Sequence, residues 1–310
     1  MNIFEKTYRE TFIKRYDGVP FVKYFTYKDF PGMLAEPVSF QTRQGLTIRG
    51  NIYSYPNPKE EDLIVLAHGL GGGHRSYIRE IELLCQNGYR VLSYDNVGCF
   101  DSEGEDIRGM SESLNDLDAC MKFIKSRDDL KDRRISVFGH SWGGYAAGNI
   151  LNYHKDIYAA IVISGFVSLK ELWRVSLNGF QKFAKPTIYK FEGRVNPEFA
   201  ESCSVTALSD TKTKTLIIHS DDDGMVNIRC GLDYVKERVS NENVKYLRIT
   251  GKKHNPHYTA DAVKYMNGTF AELQTLKTPE EQKSFMESRD YKRMTEQDPE
   301  IWEAILATLK

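Results

Sequence analysis

The sequence predicts an α/β architecture: a mostly parallel central sheet flanked by helices, with an inserted, mainly helical cap. Three observations predict it. From Leu63 onward, short apolar, β-branched runs alternate with stretches of helical periodicity. Most of those runs are continuously apolar, the pattern of strands covered on both faces, as parallel strands are. The stretch from Arg134 to Tyr145 reads as a strand, a glycine-flanked turn and a helix in immediate succession.

Taken in order, residues 2–16 place Phe4, Tyr8, Phe12 and Ile13 at helical spacing, and Asp17-Gly18 is expected to end that helix. Pro37 to Tyr55 reads as a hairpin about Gln44-Gly45, with Val38-Ser39-Phe40 and Leu46-Thr47-Ile48 alternating on its arms. Leu63 to Ala67 is a buried strand, followed by a glycine-rich loop and a helix from about Ser76 to Cys85. Tyr89 to Tyr94 is the next strand and Ser111 to Ser126 the next helix. After the turn at Ser141 come a helix from Tyr145 to Tyr153 and a strand from Ala159 to Ile163. Leu216 to Ile218 and Val244 to Arg248 supply two further strands, with a helix near Gly231 to Val239 between them.

One interval breaks the alternation. Between Gly165 and Thr215 lie Phe166, Leu169, Leu172, Trp173, Phe180 and Phe183, spaced largely as in a helix. A connection this long is expected to carry structure of its own and to act as a lid. The core is therefore expected over 1–165 and 206–310 and the cap over 166–205. Beyond Lys277 the chain is charged with isolated apolar points, and Ile301 to Leu309 is read as a closing amphipathic helix packed on the body.

Composition narrows the function classes. A formal net charge of −1 over 310 residues supplies no basic field for nucleic acid or an anionic membrane. Five scattered cysteines, Cys85, Cys99, Cys120, Cys203 and Cys230, form no C-x-x-C pair, so neither a disulfide framework nor a zinc site is expected. No apolar run is long enough to span a bilayer, and the N-terminus lacks an apolar signal region, so a cytoplasmic location is expected. The histidines show neither H-x-x-x-H nor H-x-H spacing, and no metal or organic cofactor is expected. Nothing in the chain fixes an oligomeric state.

The chemistry centres on Gly139-His140-Ser141-Trp142-Gly143. A serine in a strained strand-to-helix turn needs neighbours without Cβ atoms two residues away on either side, and the new helix aims its first amides at any developing negative charge. Such a serine is a poor nucleophile until a base takes its proton, and the base needs an orienting carboxylate. Acids follow the strand at Leu216–Ile218 (Asp221, Asp222 and Asp223), and His254 follows the last strand, with His257 close behind.

These segments resemble the α/β-hydrolase superfamily, specifically its serine esterases and the lysophospholipase- and serine-aminopeptidase-like group, from about Leu63 to Tyr258. The resemblance implies Ser141 as nucleophile at a nucleophile elbow. His219-Ser-Asp-Asp-Asp223-Gly-Met-Val226 is similar to the family's H-G-x-x-D-x-x-V segment, which implies Asp223 as the acid, although Ser220 replaces the usual glycine. Gly251-Lys-Lys-His254 is similar to its G-x-x-H, implying His254 as the base. His68-Gly69-Leu70-Gly-Gly-Gly73 looks like the oxyanion loop, implying backbone donors at Leu70 and Trp142. Asp95-Asn-Val-Gly98 with Asp101-Ser102-Glu-Gly104 resembles the family's D-x-R-G-x-G-x-S-x-G loop, but Val97 stands for its arginine and Phe100 for its second glycine. The serine speaks against the aspartate-dependent dehalogenase and epoxide hydrolase chemistries of the superfamily.

The function these readings imply is cleavage of a small-molecule carboxylic ester through an acyl-enzyme. A peptidase, amidase or thioesterase using the same residues is the alternative, and a non-catalytic binding protein a more distant one. Phe166 and Trp173, on the expected lid, are the candidate substrate-binding side chains.

Overall fold

The computed structural model describes residues 2–310. Eight strands form one sheet: β1 (Leu34–Gln41), β2 (Thr47–Ser54), β3 (Asp62–Ala67), β4 (Arg90–Asp95), β5 (Arg134–His140), β6 (Ala159–Ile163), β7 (Lys214–Ser220) and β8 (Val244–Ile249). Their order across the sheet is β1-β2-β4-β3-β5-β6-β7-β8. The β1–β2 hairpin is antiparallel and joins β4 antiparallel, while every pairing from β4 to β8 is parallel. Every residue of β3 and of β6 is buried, as their unbroken apolar sequences require of strands covered on both faces.

The sheet separates two apolar cores, and strand alternation sorts the residues between them. Leu63, Val65, Val137 and Val162 face the side covered by α3 (Glu112–Ser126), α4 (Trp142–Asn149) and α8 (Leu232–Lys236). Ile64, Leu66, Phe138 and Ile161 face α2 (Ile78–Gln86) and the closing helix α12 (Pro299–Leu309), whose Trp302 stacks on Phe138 at 5.9 Å. The hairpin turns where expected, with Gly45 at φ 79°.

Three regions differ from the sequence reading. Helix α1 (Ile3–Phe12) stops well before residue 16, because the chain leaves it to pair with a distant loop: Tyr16 N–H donates to Gly98 O at 2.9 Å and Phe100 N–H to Tyr16 O at 3.1 Å. Between β6 and β7 stand α5 (Leu169–Ser176), a 3₁₀ turn (Gly179–Ala184), α6 (Lys185–Val195) and α7 (Ser204–Leu208). Here Phe180 and Phe183 are 75% and 59% exposed and meet each other in a tilted pair at 5.6 Å rather than joining a covered apolar face. Beyond β8, α9 (Ala260–Leu273) is absent from the sequence reading although Val263, Met266 and Phe270 recur at helical spacing. It packs against α10 (Pro279–Glu287) and α11 (Tyr291–Met294), burying Met286 and Met294.

Candidate active site

The elbow is built from backbone crowding. Ser141, the N-cap of α4, sits at φ 58° and ψ −114°, a conformation an L-residue holds only when its surroundings over-determine it. A Cβ on Gly139 would lie 2.0 Å from Gly143 O, and one on Gly143 would lie 2.0 Å from Ala67 O. No residue but glycine fits at either place, which explains the G-x-S-x-G spacing sterically. Ser141 N–H is held by Ile163 O at 2.8 Å.

The acid loop after β7 sorts its three aspartates. Asp223 Oδ2 accepts from His254 Nδ1 at 2.8 Å and Oδ1 from the amides of Met225 and Val226 at 2.8 and 2.9 Å. His219 Nε2 faces two acceptors, Val226 O at 2.8 Å and Asp223 Oδ2 at 3.2 Å, so it must donate. Burial pushes the Asp223 carboxyl up, but the hydrogen bonds from His219 and His254 and the charge of His254 outweigh it, and the net displacement is downward. A carboxylate only accepts, so His254 carries its proton on Nδ1 and leaves a lone pair on Nε2. Asp222 is occupied by Ser220 Oγ and Lys253, and Asp221 by Thr250 Oγ1. His257 is fully buried and meets Glu80 Oε1 at 3.1 Å, so it faces away from the acid loop.

A chain of polar contacts ties the elbow to the loops on either side. Gly69 N–H donates to Tyr77 Oη at 3.0 Å, and Tyr77 Oη lies 2.7 Å from His140 Nδ1. His140 Nε2 donates to His254 O at 2.8 Å, which makes Nδ1 the acceptor of the tyrosine proton. Burial first, then the neighbouring His254 and His257, holds the His140 imidazolium form far out of reach, so the ring stays neutral. His68 accepts from Asn96 N–H at 2.9 Å and donates from Nδ1 to Gly69 O at 2.8 Å, fixing the peptide that ends in the Leu70 amide. Among the described residues the amides of Leu70 and Trp142 have no acceptor, and a Cβ on Gly69 would lie 3.3 Å from Ser141 Cβ. Tyr77 and His140 were not singled out from sequence. His140 stood inside the elbow motif, but nothing in the linear order pairs it with a tyrosine sixty-three positions away.

The departures in the loop after β4 also resolve. Phe100 adopts φ 39°, the left-handed conformation that glycine holds freely. Arg15, from the segment following α1, gathers the loop carbonyls of Ser102 and Gly104 at 3.1 and 2.8 Å and also reaches Phe100 O. Of the candidate substrate residues, Phe166 stacks on Tyr145 at 4.7 Å, one turn along α4 from Ser141. Trp173 lies further out, with ring centroids 5.6 Å from Tyr8 and 5.2 Å from Phe12 of α1.

Comparison with known proteins agrees with this architecture. The family described as "Serine aminopeptidase, S33" matches residues 58–207. The fold is similar to that of an esterase of Pyrococcus furiosus with a TM-score of 0.59, spanning 84% of this chain and 95% of that one at 22% identity.

The chain has the α/β-hydrolase fold.

Curated proteins similar to this chain differ in their chemistry. A proline iminopeptidase of Lactobacillus helveticus is 28% identical over 127 residues, 40% of this chain and 42% of the relative. The human mitochondrial acyl-coenzyme A thioesterase 2 is 31% identical over 142 residues, 44% of this chain and 26% of the relative. The chain thus matches less than half the length of these relatives. Among the described residues no helix is long and apolar enough to cross a membrane, and no group of three side chains could hold a metal ion.

Proposed function

We propose that this α/β-hydrolase cleaves carboxylic esters through an acyl-enzyme on Ser141, with His254 as base and acid and Asp223 as the orienting carboxylate. The observation that carries the reading is the 2.8 Å contact between His254 Nδ1 and Asp223, beside a serine held at φ 58°. It leaves His254 Nε2 free to take the Ser141 proton as Oγ attacks the carbonyl carbon. The amides of Leu70 and Trp142, without acceptors among the described residues, would receive the oxyanion, each worth roughly 10²–10³ in rate. Collapse of the tetrahedral intermediate breaks the bond to the leaving group, which departs with the proton from His254. Water, deprotonated by His254 in turn, then releases the acyl group as acid and restores Ser141. The absence of a bond from Ser141 to His254 in the unliganded protein is compatible with this cycle, because such bonds often tighten only once substrate is bound.

Phe166 and Trp173, in the insertion between β6 and β7, are assigned to the acyl side. The names of the relatives keep an amide or a thioester bond as a second reading on the same residues. Ser141→Ala should leave a folded protein whose turnover of a p-nitrophenyl ester falls on the order of 10⁴ or more. A fluorophosphonate probe should label Ser141; labelling elsewhere, or an undiminished rate in the variant, would remove Ser141 from the role.

A further inference from the structure

His254 forms part of the wall of a cavity of about 840 Å³. One side is the face of α9 bearing Val263, Met266 and Phe270, and the other is Gly224 and Met225 of the acid loop. Ser141, Leu70 and Trp142 do not line it. That asymmetry has stereochemical content. In the tetrahedral intermediate the carbon carries four substituents: Ser141 Oγ, the oxyanion turned to the amide donors, the acyl chain and the leaving group. The leaving heteroatom has to come within hydrogen-bond reach of His254, because His254 hands it the proton. A cavity that touches His254 but not the oxyanion donors therefore lies on the leaving-group side.

We propose that this cavity receives the leaving group of the substrate and that the leaving group is an extended alkyl chain on its heteroatom. The inference rests on the hydrolase reading above. The wall supports an apolar occupant. Asn267 Nδ2 is committed to Val263 O at 2.8 Å and Lys253 Nζ to Asp222 at 3.0 Å, Lys264 of α9 adds an exposed cation, and no carboxylate lines the space, so a cationic leaving group finds no partner. Met225 is 74% exposed beside His254, with little protein packed on it, and flexible thioethers such as Met225 and Met266 adapt to alkyl chains. From Ala260 to Phe270 the lining face of α9 runs about 15 Å, at 1.5 Å per residue, which suits an octyl chain better than an ethyl group.

The test separates the two ends of the substrate. With the acyl group held constant, kcat/KM, which reports the acylation step, should rise at least about tenfold from ethyl acetate to octyl acetate. Phe270→Asp should cut that octyl-to-ethyl ratio by about tenfold or more. Met225→Ala, at an exposed position that cannot unfold the protein, should cut it about threefold. The ratio of ethyl decanoate to ethyl acetate, which varies only the acyl group, should move less than about twofold in either variant. An unchanged alcohol ratio in both variants, or equal falls in both ratios, overturns the assignment. If fluorophosphonate fails to label Ser141 the hydrolase reading itself falls, and calorimetric titration with 1-octanol then decides the cavity alone. Binding weakened about tenfold by Phe270→Asp supports an alkyl site, and binding that the variant leaves unchanged, or no binding at all, overturns it.

Discussion

The polar lattice around Ser141 and the insertion between β6 and β7 are built on opposite terms. In the lattice, position is fixed by hydrogen bonds across distant segments: Gly69, Tyr77, His140 and His254 form one chain, and Asp223 accepts from four groups. In the insertion, rings share the work with one buried carboxylate: Glu192 of α6 accepts from Met110 N–H at 2.9 Å and Ser111 Oγ at 3.0 Å, and the rings do the rest. Trp173 is wedged against Tyr8 and Phe12, Phe191 packs on Tyr8 at 5.7 Å, and Phe180 and Phe183 stand in solvent. Hydrogen bonds are directional and apolar contacts are not, so the lattice holds angles throughout, while the rings around Trp173 hold only volume. Substitutions should therefore damage rate in the first region and stability or substrate preference in the second.

The sharpest break falls on the acid loop. Asp223→Asn removes the acceptor that keeps the His254 proton on Nδ1 and should lower kcat by about 10³–10⁴ with little change in KM. Asp221→Asn and Asp222→Asn, whose partners are Thr250, Ser220 and Lys253, should stay within about tenfold of the parent rate. A reversed ranking under identical assay conditions would move the acid to another position of the loop.

Trp173→Ala probes the other region. A tryptophan 3% exposed between two rings should cost about 3–5 kcal/mol of stability when truncated, read as a fall in urea midpoint. On the acyl-side assignment, the preference for a decanoyl over an acetyl ester should fall with it. A large loss of stability at constant preference would leave Trp173 as packing between the insertion and α1, and Phe166 as the acyl contact to test next.

Tyr77→Phe tests whether the lattice sets angles. It leaves Gly69 N–H without its acceptor and His140 Nδ1 without its donor, while keeping the ring in place. Loss of about tenfold in kcat at near-constant KM is expected if the Leu70 amide has its proposed role at the oxyanion, which it would stabilise more than the ground state. An equal rise in KM, or a stability loss with kcat intact, would make Tyr77 a structural residue alone.

How much of this was legible follows the same division. The buried strands, the hairpin and the elbow are local patterns, and so are the acids after β7 and His254 after β8, but only the family resemblance singled out Asp223 among the three aspartates. The end of α1 was not legible, since it is set by Tyr16 pairing with Gly98, eighty-two positions on. Nor was the Tyr77–His140 contact, nor the cavity on α9, because their partners meet only after folding. Phe180 and Phe183 read as apolar lid positions, but periodicity marks a face without saying whether anything covers it.

The smallest effect concerns a weak point inside the lattice's own support. Asp116 of α3 is fully buried; Oδ2 accepts from Val97 N–H at 2.8 Å, and Oδ1 has no partner. Burial, reinforced by the adjacent Glu112 and only partly offset by Val97 and Arg108, raises its carboxyl well above the usual range. The direction sets the sign. Below about pH 4 the group is protonated in folded and unfolded chains alike and contributes no pH-dependent difference. As pH rises past that value the unfolded chain ionises while the folded one keeps its proton, so Asp116 becomes increasingly destabilising until its raised folded value is passed. Asp116→Asn keeps an oxygen for Val97 and removes the titration. Its stability advantage over the parent should therefore grow from about pH 4.5 to about pH 7.5, by roughly 1.4 kcal/mol for each unit by which the folded value exceeds the unfolded one within that window. Urea midpoints at the two pH values measure it. A difference that is flat, or that shrinks as pH rises, would mean that Asp116 is ionised in the folded protein and that its unpartnered oxygen is met by a donor such as water.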